Sequence, residues 1–283
     1  MPKPAKSVLL LIPAYNEAER IEPTLREYAT YFRKNYDGKF EILVVLNGCT
    51  DNTLEVVNRV HEDFPEVNAD DIAMPIGKGG ALIEGLRLAP SADWIGYVDA
   101  DGATSPEAFH KLMNHMDGAH CVIGSRWLRE SVLHQVQPFF RQFASRCFHV
   151  IVQLLFWMNI KDTQCPAKIV RREAVEKIHD HLRIADLAFD VNLLYSLKHA
   201  DYTVLELPVE WTDKVGSKVS STFFRSSFVM FLSVVRLRLY YSPFYGSIRP
   251  LQELGDWLYL KLHAPPPRRV EDEGAAGNKD GKS

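Results

Sequence analysis

Apolar runs of strand length alternate with amphipathic segments through the first 125 residues. Ser7–Ile12 (SVLLLI) and Phe40–Leu46 (FEILVVL) are almost continuously hydrophobic, as strands covered on both faces of a parallel sheet are. Helical periodicity follows the first as far as about Asn35. It follows the second over Asn52–Asp63, where Thr50 or Asp51 is the expected cap. A weaker strand is expected near Asp71–Met74, then a helix from Gly77 through Leu88. A fourth strand covers Trp94–Val98, a helix Pro106–Met116, and a fifth strand His120–Gly124. Ser105 is placed to cap the Pro106 helix, with proline at its first position. This alternation predicts an α/β fold with a mostly parallel sheet and flanking helices.

The second half has a different pattern. Phe139–Met158 carries Gln142, Ser145, Arg146, His149 and Gln153 in a narrow polar stripe at helical spacing, and the rest is dominated by apolar side chains. Ser221–Tyr241 repeats the theme, with Arg225, Arg236 and Arg238 interrupting an aromatic and aliphatic surface. So narrow a polar stripe leaves more apolar face than one sheet covers, which suits helices lying in a membrane interface. Between them are Lys161–Lys168 (KDTQCPAK), Phe189-Asp190, an extended stretch Thr203–Trp211, and the polar, glycine-containing Lys214–Val219 (KVGSKV).

Composition narrows the function classes. The 283 residues are 46% hydrophobic and 24% charged, an ordinary globular balance, and a net charge of −3 gives no general attraction for nucleic acid. Cys49, Cys121, Cys147 and Cys165 are far apart and lack metal-ligand spacing, as reduced thiols of a cytosolic setting would be. None of the ten histidines falls in a motif. No apolar run approaches about 18 residues, so no transmembrane helix is expected. MPKPAKS at the amino terminus is expected to lead straight into the first strand, without a secretory signal.

The candidate chemistry gathers at four strand ends: Pro13–Glu17 (PAYNE), Asn47–Asp51 (NGCTD), Gly77–Ala81 (GKGGA) and Asp99–Asp101 (DAD). In an open α/β sheet, ligands bind at this rim. Asp99 and Asp101 repel one another unless a cation or proton lies between them, and hard carboxylate oxygens suit Mg²⁺ or Mn²⁺. Glycines before a helix, with Lys78 among them, leave amide N–H groups and a positive charge for a diphosphate. The spacing is not that of a P-loop. Together these features describe a nucleotide-diphosphate pocket with a divalent metal.

The same segments resemble the inverting family 2 glycosyltransferases of the Rossmann-like GT-A fold, and within them the dolichyl-phosphate β-glucosyltransferases and related polyprenyl-phosphate hexosyl synthases. The resemblance continues through Gly124–Arg126 (GSR), KDTQC, Phe189-Asp190, PVEW from Pro208 and GSKV ending at Val219, and covers about residues 7–240. It implies that Pro13, Ala14, Tyr15, Asn16, Glu17 and Asp51 hold the base and ribose. It implies further that Asp99 and Asp101, with Ala100 between them, bind metal and diphosphate, that Arg126 lies near the phosphates, and that the GSKV loop meets the acceptor. Two features depart from the pattern. Most relatives carry Asp-Asp-Gly-Ser where this chain has Leu46-Asn47-Gly48-Cys49, so Asn47 is expected to hydrogen-bond a base without charge. Eukaryotic relatives also carry an amino-terminal membrane anchor, which is not expected here.

The expectation is a GT-A domain over residues 1–220, an amphipathic membrane-associating segment over 221–264, and a disordered tail over 265–283. The expected activity moves a hexose from UDP-glucose or GDP-mannose to a polyprenyl phosphate, with inversion. It would act as a peripheral protein at the cytoplasmic face of a membrane. Arg126 and Lys218 are the candidates for capturing the acceptor phosphate. Asp190 is expected to act as a base, to orient these groups, or only to cap a helix. The alternatives are a soluble transferase with a hydroxyl acceptor and a non-catalytic nucleotide-binding protein that docks on membranes.

Overall fold

The computed structural model describes residues 5–88, 92–133, 139–212 and 223–242. In chain order, β1 (Val8–Ala14), α1 (Ile21–Asn35), β2 (Phe40–Asn47), α2 (Thr53–Asp63), β3 (Val67–Ile72) and α3 (Gly77–Arg87) are followed by β4 (Trp94–Tyr97), α4 (Pro106–Met113) and β5 (Cys121–Ser125). Then come β6 (Val132–Leu133), α5 (Phe139–Phe156), β7 (Lys168–Arg171), α6 (Arg172–Ile178), α7 (Phe189–His199), β8 (Val204–Pro208), β9 (Glu210–Trp211) and α8 (Phe223–Tyr240). Seven strands form one sheet in the order β3-β2-β1-β4-β7-β5-β8, and β6 pairs with β9 in a second, two-stranded sheet.

Six of the seven strands run in one direction. Strand β7 alone is antiparallel, inserted between β4 and β5. The apolar runs account for the centre: Leu10, Leu11 and Ile12 of β1 and Ile42, Val44 and Val45 of β2 have essentially no exposed surface, as strands covered on both faces require. Helix α1 presents Ile21, Leu25, Tyr28 and Phe32 to this core at helical spacing, and Phe32 stacks on Phe40 at 3.8 Å between ring centroids. Ser105 caps α4 as expected, its hydroxyl accepting the Ala108 N–H at 3.2 Å.

Several expectations are corrected in detail. The third strand lies at Val67–Ile72, earlier than expected, because its alternating polar residues mask an edge strand. The α2 cap residue is Asn52, and the capping bond comes from its neighbour: Asp51 Oδ1 accepts the Thr53 N–H at 3.1 Å. Strand β7 was not anticipated, since Lys168 opens it and Arg171 closes it around only two aliphatic residues. The N-cap of α7 is Ala188, so the capping role considered for Asp190 is excluded.

The chain divides into two compact units, residues 1–238 and 239–283. Of the second, Leu239–Ser242 are among the described residues, and the tail expected at 265–283 lies outside them. No helix among the described residues is long and apolar enough to cross a membrane.

Candidate active site

The parallel strands β1, β2, β3, β4 and β5 all end at one rim, and antiparallel β7 begins there with Lys168. The first two strand-end loops interlock. Asn16 is held at φ +54°, its Oδ1 accepting the Thr50 N–H at 2.7 Å and its Nδ2 lying 3.3 Å from Thr50 Oγ1. The Glu17 N–H donates to Thr53 Oγ1 at 2.9 Å and the Ala18 N–H to Asp51 Oδ2 at 3.2 Å. Cys49 adds a sulfur contact, accepting from the Asn16 N–H at 3.4 Å. PAYNE and NGCTD thus form one rigid wall, from which Tyr15 projects half-exposed.

Asn47 has a structural task besides the one expected. Its Oδ1 accepts the Ile76 N–H at 2.7 Å, and the residue is buried, so it ties the end of β2 to the loop entering α3. The glycines of GKGG are likewise engaged. The Gly80 N–H donates to Ala185 O at 3.0 Å. A Cβ on Gly77, which has φ +83°, would stand 2.3 Å from Ala185 O, and one on Gly79 would stand 2.6 and 2.7 Å from Ile184 O and Asp186 O. These glycines let α3 lie against the segment before α7, and the Gly80 amide is unavailable to a phosphate.

Asp99 and Asp101 stand at the end of β4, both partly exposed. Lys78 reaches across from α3 and pairs with Asp99 Oδ1 at 2.5 Å. Burial works against the Lys78 charge, yet Asp99, Asp190 and Asp101 together raise its pKa above the usual lysine value. Asp101 Oδ1 accepts the Ala103 N–H at 3.0 Å, across a turn that Gly102 makes at φ +68°. Burial, with the neighbouring Asp99 charge, pushes the Asp101 carboxyl above the usual aspartate value. Arg20, one turn past PAYNE, forks onto Glu17 with Nη2–Oε1 at 2.7 Å. Its pKa is raised by that bond and by the Asp101 and Asp99 charges. The sequence reading did not single out Arg20.

A divalent cation fits this pair. Two hard carboxylates emerge from one strand end, and Asp101 sits partly buried beside the Asp99 charge. Lys78 supplies part of that charge in the free protein. No group of three or more ligating side chains occurs among the described residues, so phosphate and water oxygens would complete the shell, as magnesium sites commonly arrange.

Beneath the pair lies a buried charged cluster. Asp190, 4% exposed, accepts Tyr97 Oη–H at 2.5 Å and an ion-pair hydrogen bond from Lys168 on the same Oδ1. Lys168 Nζ also donates to Cys165 O at 2.5 Å. Tyr97 and Lys168 were not singled out from the sequence; a lysine in a strand register opposite a tyrosine gives no local signal. Arg126, at the end of β5, is committed to Asp162: Nε–Oδ2 is 2.7 Å, Nη2–Oδ1 2.9 Å, and the backbone N–H adds 2.9 Å. Burial disfavours both charges, but each partner more than reverses this for the other, so Arg126 is raised and Asp162 held below the usual carboxylate range. The Arg126 guanidinium lies 5.2 Å from the Trp211 ring centroid. Two buried donors on residues touching this pair, Gln164 Nε2 and Trp211 Nε1, have no hydrogen-bond partner within the described residues. The GSKV loop, with Lys218, lies outside the described residues.

A family model described as Glycosyl transferase family 2 matches residues 9–179. The chain is 34% identical over 245 residues to a dolichyl-phosphate beta-glucosyltransferase of Dictyostelium discoideum, covering 82% of this chain and 74% of that one. It is 31% identical over 229 residues to the protein of the same name from Mus musculus, covering 76% and 70%. Among solved structures, glucosyl-3-phosphoglycerate synthase from Mycobacterium tuberculosis, in complex with Mn²⁺, UDP and glucosyl-3-phosphoglycerate, superposes with a TM-score of 0.63 at 15% identity, over 82% of this chain and 80% of that one. That likeness establishes the GT-A fold. The chain belongs to glycosyl transferase family 2.

Proposed function

We propose that the protein transfers a hexose, with inversion, from a nucleoside diphosphate sugar to a polyprenyl phosphate at the cytoplasmic surface of a membrane. The observation that carries this reading is the rim itself: Asp99 and Asp101 on one strand end, Lys78 beside them, and the interlocked Asn16–Thr50 wall next to them. Similarity to dolichyl-phosphate beta-glucosyltransferases supports the acceptor class and glucose as the sugar. The fold the protein shares with a UDP complex is compatible with UDP-glucose as donor.

Asp99 and Asp101 would hold Mg²⁺ or Mn²⁺, which when bound neutralises the diphosphate leaving group. Lys78 would add its charge to the same diphosphate, leaving Asp99 to do so. An acceptor phosphate oxygen attacks the anomeric carbon from the face opposite the nucleotide; the new C–O bond forms as the bond to the diphosphate breaks. A phosphate monoester has a second pKa near about 6, so its oxygen is already ionised at neutral pH and needs no strong base. The burial of Asp190 under Lys168 and Tyr97 suits that chemistry, because a carboxylate so engaged is poorly placed to take a proton from an acceptor. Gln164 Nε2 and Trp211 Nε1 are donors without a partner among the described residues, and leaving such groups unpaired costs about 1–3 kcal/mol each. Arg126, held by Asp162, and Lys218 remain the candidates for the acceptor phosphate.

Membrane contact is supported by Val150 and Leu154, 54% and 71% exposed one turn apart on α5, and by Trp157 just past its end, 82% exposed. Phe228, Phe231 and Leu239 are exposed on α8. Calorimetric titration with UDP and GDP, with and without Mn²⁺, tests the donor half of the reading. Metal-dependent binding of UDP is expected; metal-independent binding, or none, contradicts it.

A further inference from the structure

The segment Ile184–Phe189 touches two distant parts of the chain. On one side it receives the first turn of α3. Ala185 O accepts the Gly80 N–H at 3.0 Å, and the contacts that a Cβ would make at Gly77 and Gly79, 2.3 to 2.7 Å, leave no slack between the two backbones. On the other side Asp186, itself buried, fixes its own loop through Oδ1, which accepts the Ala188 N–H at 2.7 Å. Its Oδ2 accepts the hydroxyl of Ser233, a residue with no exposed surface on α8.

Among the described residues, α8 also buries the apolar Val229, Val234 and Leu237. Apolar contact is non-directional, so such a stripe tolerates rotation or sliding at little cost. A buried hydroxyl–carboxylate bond does not, because any shift leaves a charged oxygen unpaired away from water. Polar pairs in apolar layers are best known for fixing register in this way. Close-packed backbone transmits such a shift instead of absorbing it.

We propose that the Asp186–Ser233 hydrogen bond positions the donor site: it ties α8 to the 184–189 segment on which the first turn of α3 rests, and so sets where Lys78 stands beside Asp99. Asp186 and Ser233 touch neither donor nor acceptor; they act through Lys78. The inference rests on the donor reading above, in which Lys78 meets the diphosphate.

The test measures UDP affinity by calorimetry in the presence of Mn²⁺, with GDP in parallel and thermal midpoints alongside. Ser233→Ala is expected to weaken binding about tenfold, within the usual range of coupling between sites. Ser233→Thr, which keeps the hydroxyl, restores most of it. Val234→Ala, a cavity at the next buried position of α8, lowers the thermal midpoint and leaves UDP affinity unchanged. In a Lys78→Met background, Ser233→Ala causes no further weakening, because the two act through one contact. Asp186→Asn, which keeps one acceptor oxygen, is expected to weaken binding in the same sense and serves should Ser233→Ala fail to fold. A lowered midpoint with unchanged affinity in Ser233→Ala overturns the proposal. Equal weakening by Val234→Ala, or additive effects of Lys78 and Ser233, overturns it too. Should Lys78→Met bind UDP like the wild type, the donor reading falls and the inference with it. Should Lys78→Met weaken binding while Ser233→Ala does not, only the coupling is overturned.

Discussion

Tyr97 and Lys168 are register partners across the antiparallel β4–β7 pair, and both bond the same oxygen of Asp190. The one antiparallel strand of the main sheet therefore places a buried cation directly under the Asp99–Asp101 rim. Removing that cation leaves the buried Asp190 carboxyl without its ion-pair partner. Lys168→Met should destabilise the protein by about 3–5 kcal/mol in urea unfolding, the usual cost of stranding one member of a buried pair. Lys168→Met with Asp190→Asn should lose less than the sum of the single variants; strict additivity would mean that the two do not interact. Asp190→Asn alone, where it folds, should cost less in transfer rate than the roughly 10²- to 10⁴-fold of a lost general base.

The rim carboxylates make a sharper prediction. Asp101→Ala should abolish transfer and remove the metal dependence of nucleotide binding, since Asp99 alone, already paired with Lys78, holds a cation weakly. Metal-dependent activity of the variant within about threefold of wild type would rule out the carboxylate pair as the metal site.

Arg126 and Asp162 give a pH signature. Asp162 is held below its ordinary value of 3.8, so the folded protein takes up its proton less readily than the unfolded chain. The pair's stabilisation is complete above that value and is lost as pH falls through the lower folded pKa. The gap in urea midpoint between wild type and Asp162→Asn should therefore be constant from about pH 7 to pH 5 and shrink below about pH 4. A gap that does not change with pH would show that the carboxylate's charge is not what stabilises this corner.

The apolar residues exposed on α5 and just past its end predict membrane contact by particular side chains. Wild-type protein should sediment with liposomes containing anionic lipid, and Leu154→Glu with Trp157→Glu should release it. Reversing Arg225, Arg236 and Arg238 to glutamate should weaken binding further, at roughly 1 kcal/mol per basic residue near the surface. Wild-type protein remaining in the supernatant would refute the interfacial role.

Most of the sheet is legible in the chain because β1 and β2 are buried on both faces and read as unbroken apolar runs. Lys168–Arg171 escapes that logic: with a charge at either end, its strand identity comes from its neighbours β4 and β5. The carboxylate pair was legible for the same reason that β4 was, since two carboxylates at the end of an apolar strand have few structural explanations. The binding loops were legible as segments but less so as individual roles. Asn47 and Gly80 look available to a ligand in the sequence, and the fold engages the Asn47 Oδ1 and the Gly80 N–H with its own backbone. Arg20, Lys168 and Asp186 act through partners far away in sequence, which no local pattern encodes.

The central claim is tested most directly by a transfer assay with a short-chain polyprenyl phosphate and Mn²⁺, comparing UDP-glucose with GDP-mannose and following the glycolipid product and its anomeric configuration. The account predicts a β-linked polyprenyl phosphate glucoside from UDP-glucose and no product when the metal is chelated. Transfer only to hydroxyl acceptors, or retention of configuration at the anomeric carbon, would contradict it.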